Sequence, residues 1–356
     1  MQDRITLPDW DALADADDEA LPLLPTALLI ARDEYADLQP GVYDALVQSH
    51  VDHLRAEVDT IERWPLKMAA VNRHLFDELG YSGDHQEYYD PRNSYLNQVF
   101  ERRLGNPISL ALVQMEVARR LGIPLDGVSF PGHFLVRLPV DDGVLVMDPF
   151  NGGRPLDVDE LRERAKSHLG GQAPDDQVLA QILDPAPTRA ILIRMLRNLH
   201  GVYAEASEWD RAARSADRLL KLAPEQDDAL RDRGLAYLQL DYVAGARHDL
   251  GQYLRRNPEA SDAQWLREKL IDLGGPMPRL HSITGVHTNG PHLPQRSAPT
   301  GSAGPCPAVL VLNRSRPSRN RPWSPRSRGR SRSRECPPSA YPGRCPLRAD
   351  RPLRGR

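Results

Sequence analysis

Residues 105–124 read Gly-Asn-Pro-Ile-Ser-Leu-Ala-Leu-Val-Gln-Met-Glu-Val-Ala-Arg-Arg-Leu-Gly-Ile-Pro. Asn106 has the short polar side chain that caps a helix N-terminus. Pro107 suits the first helical position, where the missing N–H is not needed. The pattern predicts a helix from there to about Leu121, ended by Gly122-Ile123-Pro124. Ile108, Leu110, Ala111, Leu112, Val113, Met115, Val117 and Ala118 make it apolar nearly all round. A helix of that kind is buried at the centre of a domain.

Working outward, two strand-like runs follow, Gly127 to Phe130 and His133 to Leu138. A turn at Pro139 to Gly143 then leads into a third, Val144 to Asp148. A hairpin closing around 139–143 sets His133 opposite Asp148, close enough for a hydrogen bond if both side chains share a face. Asp157 and Glu160 read as a capping box for a helix over 157–169. Upstream, Thr26 to Tyr35, Val42 to Val58 and Pro65 to Leu79 have helical apolar spacing, and Gly80 stops the third. The expected class is α+β, helix-rich with a small antiparallel sheet.

A buried helix whose N-terminus faces an Asp–His pair is the arrangement of Cys-His-Asp acyl-transfer enzymes. The helix end stabilises an oxyanion or thiolate, the histidine moves protons, and the aspartate fixes its tautomer. Here the thiol is missing. The three cysteines, Cys306, Cys336 and Cys345, all follow residue 276, which excludes a thiol nucleophile, a cysteine zinc site and a disulfide before that point.

Four linked stretches resemble the SirB-type bacterial proteins: Tyr88-Tyr89-Asp90-Pro91-Arg92-Asn93-Ser94-Tyr95-Leu96-Asn97, the run from Gly105 to Pro124, Pro131-Gly132-His133-Phe134-Leu135-Val136-Arg137, and Asp148-Pro149-Phe150-Asn151-Gly152-Gly153. The resemblance spans about Thr26 to Gly274. It implies a transglutaminase-like domain, of the transglutaminase/papain-like superfamily, followed by tetratricopeptide repeats. It matches His133 and Asp148 to the superfamily's histidine and aspartate. It leaves the nucleophilic cysteine without a counterpart, its place falling at Pro107 or, with a small shift, at Ser109, a loss that the resemblance implies is shared by the family.

Three readings of Ser109, His133 and Asp148 follow. The fold is catalytically inert and reused for binding; or Ser109 replaces cysteine in a serine-dependent amide hydrolase or acyltransferase; or the histidine and aspartate only brace a hairpin. A serine at N3 of a helix is more often a satisfied polar group than a nucleophile, and a hydroxyl needs stronger activation than a thiol. Asp90, Arg92, Asn93, Tyr95 and Asn106 are candidates to line the same cleft, against a capped turn as the plain alternative. His50, His53 and Glu57 resemble metal ligands on one helical face. His50 lies beside Val47, Val51 and Leu54, however, so a core-flanking histidine is the better reading, and neither metal nor cofactor is expected.

Farther along, a period of 34 residues relates Leu196 to Leu230, Tyr203 to Tyr237, Ala212 to Ala246, Leu220 to Leu254 and Pro224 to Pro258. This is tetratricopeptide spacing, with Gly234 at the usual small position and His200 in its place in the first unit. Asp262 to Leu273 reads as a closing helix. Asn198, Tyr203, Arg231 and Tyr237 are candidates for a peptide groove that recruits an unknown protein partner, although tyrosines at such positions usually pack between helices. The expected plan is an N-terminal extension (1–25), a transglutaminase-like domain (26–170), a linker (171–188), the repeats (189–274) and a disordered tail (275–356).

The net charge of −3 over 356 residues conceals two unlike segments. Residues 277–356 hold 16 arginines, no lysine and two acids, for +14, which leaves 30 basic and 47 acidic residues, or −17, in 1–276. A Pro-, Ser- and Arg-rich text cannot bury enough apolar surface to offset chain entropy, so this tail reads as disordered. It offers nucleic-acid binding through phosphates, though the same text is what G+C-rich DNA gives in a wrong frame. Leu21 to Ala31, broken by Pro25, is too short to cross a membrane, and the acidic start is unlike a signal peptide. The expectation is a cytoplasmic adaptor or regulatory protein, the absent cysteine weighing against catalysis.

Overall fold

The structure, a computed structural model, describes residues 5–273. The expectations for the tail, disorder and nucleic-acid binding, lie outside them. The chain opens with α1 (Trp10–Leu13) and a 3-10 turn at Asp18–Ala20, followed by α2 (Leu23–Arg32), α3 (Pro40–Val58) and α4 (Trp64–Asn72). The last of these widens into a π-helical turn, Arg73–Glu78, before Gly80 ends it at φ +76°. Next come β1 (Ser82–Gly83), a 3-10 turn at Pro91–Asn93, α5 (Leu96–Arg102), β2 (Leu104–Gly105) and α6 (Pro107–Arg120). β1 and β2 pair in parallel, Ser82 with Leu104 and Gly83 with Gly105.

α6 is the helix anticipated from residues 105–124. It touches α2, α3, α4, α5 and strand β2, so its apolar girdle is covered on several sides. Of the polar residues it buries, Gln114 donates to Asn72 at 2.5 Å but leaves its Oε1 without a partner, and Glu116 accepts from Arg119 and Arg120. Leu110 is 1% exposed, so its truncation to Ala is worth about 2–5 kcal/mol.

The antiparallel sheet runs in the order β3 (Asp126–Val128), β4 (Leu135–Val140), β5 (Gly143–Asp148), β6 (Arg154–Leu156). Its central hairpin differs from the expected one. Val136 faces Met147 and Val140 faces Gly143, two residues off the register that sets His133 opposite Asp148. The cause is a tight two-residue turn at Asp141-Asp142, with Pro139 drawn into the strand. A shift of two keeps every side chain on its original face. His133 thus sits in the turn before β4 rather than within a strand. One face of the sheet joins the main core through Val136, Leu138 and Met147. The other face, with Val128, Leu135 and Val146, packs on α7 (Val158–Lys166) and α8 (Asp176–Ile182). Asp157 caps α7 through the Glu160 N–H, but the reciprocal half of the expected box is absent because the Glu160 carboxylate is drawn to Arg154 and Arg164. α8 lies where only a linker was expected.

The repeats are α9 (Thr188–Glu205) with α10 (Trp209–Leu222), α11 (Asp227–Gln239) with α12 (Val243–Arg256), and the closing α13 (Ala263–Asp272). The period is visible in the backbone. Ser207 and Asp241, 34 residues apart, both turn left-handed at φ +61° and +55°, and each turn closes with a bond to a tyrosine carbonyl, Glu208 N to Tyr203 O and Tyr242 N to Tyr237 O. Gly234 is required by close approach, since a Cβ there would lie 2.7 Å from Leu250 Cγ. α9 and α10 share the core of α6, whereas Leu230, Leu250, Tyr253 and Leu266 form a separate cluster. Among the described residues no helix is long and apolar enough to cross a membrane.

Candidate functional site

The N-terminus of α6 is closed by its own residues. Asn106 Oδ1 accepts from the Ser109 N–H at 2.9 Å, and Ser109 Oγ accepts from the Asn106 N–H at 3.0 Å, a reciprocal capping box. The Ser109 hydroxyl donates to the Asn93 carbonyl at 2.6 Å, and the Asn106 amide donates to Ser94 Oγ at 2.9 Å. Ser109 has no exposed surface, and a Cβ on Gly105 would stand 2.6 Å from its Oγ. Its hydrogen bonds go to Asn93 and Asn106, and none goes to His133.

The opposite arm is built around Asp148. This carboxylate is wholly buried and takes four donors: His133 Nε2 at 2.9 Å, the Phe150 N–H at 3.1 Å, Asn151 Nδ2 at 2.7 Å and Arg164 Nη1 at 2.9 Å. Burial works to raise its pKa, but the bond and charge of His133, with Arg164 and Asn151, hold it well below the usual carboxylate range. Because Asp148 is ionised, the shared hydrogen bond is donated by His133 Nε2–H. The imidazole is 18% exposed and meets the Phe150 ring edge-on at 6.0 Å. That ring also contacts His85 and Tyr88, and it lies where a Cβ on Gly83 would be, 2.5 Å away.

The His133 turn is fixed from a distance. Gly132 adopts φ +68°, and a Cβ on it would strike the His168 ring. Arg194, on α9, donates to the carbonyls of Phe130 at 3.1 Å and His133 at 2.6 Å. Burial of its guanidinium pushes its pKa down. α9 thereby holds the backbone of the histidine turn.

Between residues 88–106 and α9 runs a cleft of about 290 Å³, lined by Tyr88, Asp90, Asn106, Arg197, Asn198 and Gly201 among others. The predicted residues divide on it. Asp90, Asn106 and Asn198 line it. Arg92 is exposed and pairs with Asp90. Asn93 is buried behind, donating to the Glu87 carbonyl and accepting from Arg102. Tyr95 and Tyr203 are buried against each other, hydroxyls 2.8 Å apart, and neither lines this cleft. Desolvation and that bond push Tyr95 far up. Arg231 lies elsewhere, bound to Asp232 and Asp262, and Tyr237 packs edge-on to Tyr242. The four groove candidates therefore do not form one surface: the tyrosines pack between helices because their rings are the repeat's apolar filling.

His50 flanks the core as expected, its pKa pushed down to about 4 by burial and then by neighbouring His74. Glu57 turns away from it to Arg73. Sequence reasoning missed Arg164, Asn151, Phe150 and Arg194. Asn151 and Phe150 stood in a quoted motif. The two arginines lie 16 and 61 residues from their partners, and nothing local marks them.

The chain matches the transglutaminase-like superfamily over residues 42–197 and the tetratricopeptide repeat over residues 199–270. A UPF0162 protein of Xylella fastidiosa is 68% identical over 281 residues, 79% of this chain and all of that protein. A UPF0162 protein of Pseudomonas aeruginosa is 38% identical, covering 72% of this chain and 93% of its own length. The protein SirB1 of Salmonella typhimurium is 26% identical over 64% of this chain and 80% of its own.

Proposed function

The chain belongs to the family of UPF0162 and SirB1 proteins, with a transglutaminase-like core and a tetratricopeptide region, and from that premise we propose that it is a non-catalytic cytoplasmic interaction protein whose cleft against α9 receives a segment of a protein partner. The boundaries we assign are 26–170 for the transglutaminase-like unit and 189–274 for the repeats. The observation that carries the reading is the fate of Ser109. Its only proton is engaged by a backbone carbonyl, it has no contact with solvent, and Pro107, the other occupant of the nucleophile's place, has no acidic hydrogen to lose. His133 and Asp148 then act as a retained polar support for the cleft wall.

Gly201 offers a clean test. It lines the cleft from an exposed position on α9, and a Cβ there meets nothing within 4 Å. Gly201→Leu fills the cleft while improving helix propensity by up to about 1 kcal/mol. A partner captured by the full chain and identified by mass spectrometry is expected to be lost in this variant at an undiminished unfolding midpoint. Capture that survives Gly201→Leu places the partner elsewhere.

One observation favours a second reading, serine-dependent acyl transfer by Ser109, His133 and Asp148: the Asp148 carboxylate holds His133 through Nε2 at 2.9 Å, the orienting contact of an acid–base histidine. Fluorophosphonate labelling separates the two. The binding reading expects an unlabelled Ser109 in the folded protein, and a labelled one establishes catalysis.

A further inference from the structure

On the far side of α4, the π-helical turn Arg73–Glu78 faces the exposed edge of α3. Two imidazoles and a carboxylate meet there. His74 Nδ1 lies 3.0 Å from Glu78 Oε2, and His53 Nε2 lies 3.9 Å from the same oxygen. The three donor atoms all fall within 4.8 Å of one another. The His53 and His74 rings are stacked at 4.5 Å, inclined by 22°. From these positions we propose that His53, His74 and Glu78 form a site for a divalent transition-metal ion of the zinc class, open to solvent at its fourth position.

Two imidazole nitrogens and one carboxylate oxygen are a donor set suited to zinc, cobalt or nickel rather than to calcium or magnesium. With metal–ligand bonds of roughly 2.0–2.2 Å, tetrahedral donors stand roughly 3.4 Å apart. The present separations bracket that figure. The one ligand that must swing is His53, whose side chain is 63% exposed and free to rotate.

The support around the site is already placed. A ligating histidine needs its second nitrogen held, and His74 Nε2 lies 3.3 Å from Nδ1 of buried His50. Glu78 uses its other oxygen, Oε1, for Arg73 Nε at 3.2 Å, and Arg73 is further neutralised by Glu57 at 2.6 Å. The carboxylate is oriented while Oε2 remains for the ion. The π turn adds a second reason to look here, because such bulges recur at functional sites. It brings His74 and Glu78 to one side of the chain opposite His53, whereas His50, His53 and Glu57 on α3 alone do not converge.

The test uses the full chain with Cys306, Cys336 and Cys345 replaced by Ser, so that no thiol competes. Calorimetric titration with Zn(II), and visible ligand-field absorption with Co(II), are expected to show one saturable equivalent and a raised unfolding midpoint. His53→Ala and Glu78→Gln should each weaken binding at least tenfold. Both side chains lie largely at the surface, so the metal-free midpoints should match the parent. Absence of saturable binding, or binding that both variants leave within twofold of the parent, overturns the assignment.

Discussion

The two walls of the candidate site differ in what they do with their polar atoms. At the start of α6 each donor has an acceptor from its own neighbourhood: Ser109 serves Asn106 and Asn93, and Asn106 serves Ser94. On the hairpin side Asp148 gathers four donors from the 3-10 turn Pro149–Asn151, α7 and the His133 turn, while none of the hydrogen bonds described for His133 uses its Nδ1. One wall is closed chemistry and the other is open. The Asp–His pair is bound into the structure by Phe150, Asn151 and Arg164, and so it does not depend on what stands at the start of α6.

The largest effect should come from the open wall. Asp148→Ala takes the acceptor from His133, Asn151 and the Phe150 N–H and leaves Arg164 with Glu160 alone, so chemical denaturation is expected to show a loss of about 3 kcal/mol. A loss under about 1 kcal/mol would mean that the carboxylate is not the keystone of this wall. The same group sets an acid dependence. Its pKa is lower in the folded chain than in the unfolded one, so the stability it confers is complete above the ordinary carboxylate range, near pH 4, and disappears as pH falls below that range toward the folded value. The gap between the parent and Asp148→Asn should therefore narrow between about pH 4 and pH 2; a gap that stays constant removes the linkage.

Next in size is the tie between α9 and the histidine turn. Arg194→Ala is expected to cost about 2 kcal/mol, since two carbonyls lose a charged donor, and to broaden the His133 imidazole resonance. Unchanged line width would show that the turn holds itself. Smaller again is the closed wall. Ser109→Ala should cost about 1 kcal/mol, because the Asn106 N–H still reaches the Asn93 carbonyl at 3.1 Å. Ser109→Cys, with the other cysteines replaced by Ser, should react with iodoacetamide no faster than free cysteine. A fast thiol would open that wall and restore serine to the nucleophile's place.

What could be read from the sequence follows the range of the forces involved. The cap at Asn106, the apolar girdle of α6 and the closing helix depend on residues a few places apart, the 34-residue period repeats such local patterns, and all are present. The Asp148–His133 pair was legible through the hairpin, though with the register two residues off, because a tight turn at Asp141-Asp142 and a five-residue turn leave nearly the same pattern of faces. The groove assigned to Tyr203 and Tyr237 failed for a different reason. A repeat's aromatic positions look alike whether they face a ligand or a neighbouring helix, and only the partner, here Tyr95, 108 residues away, decides. Arg164 and Arg194 carry no periodic or capping signal, since their role is fixed by where two distant segments meet.

The segment before α2 carries a consequence for how the chain is made. The Asp18 carboxylate receives the N–H groups of Thr188 and Arg189 at the start of α9, Arg218 lies over the Trp10 ring, and Lys221 pairs with Asp11. The last of these contacts joins residues 210 positions apart. At translation rates of about 5–20 residues per second, Asp11 waits on the order of ten to forty seconds for Lys221 to be synthesised. The acidic residues of this segment keep it hydrated during that interval. The groups it awaits are N–H donors and cations of α9 and α10, so it docks only after the helices that follow it by nearly two hundred residues have been made.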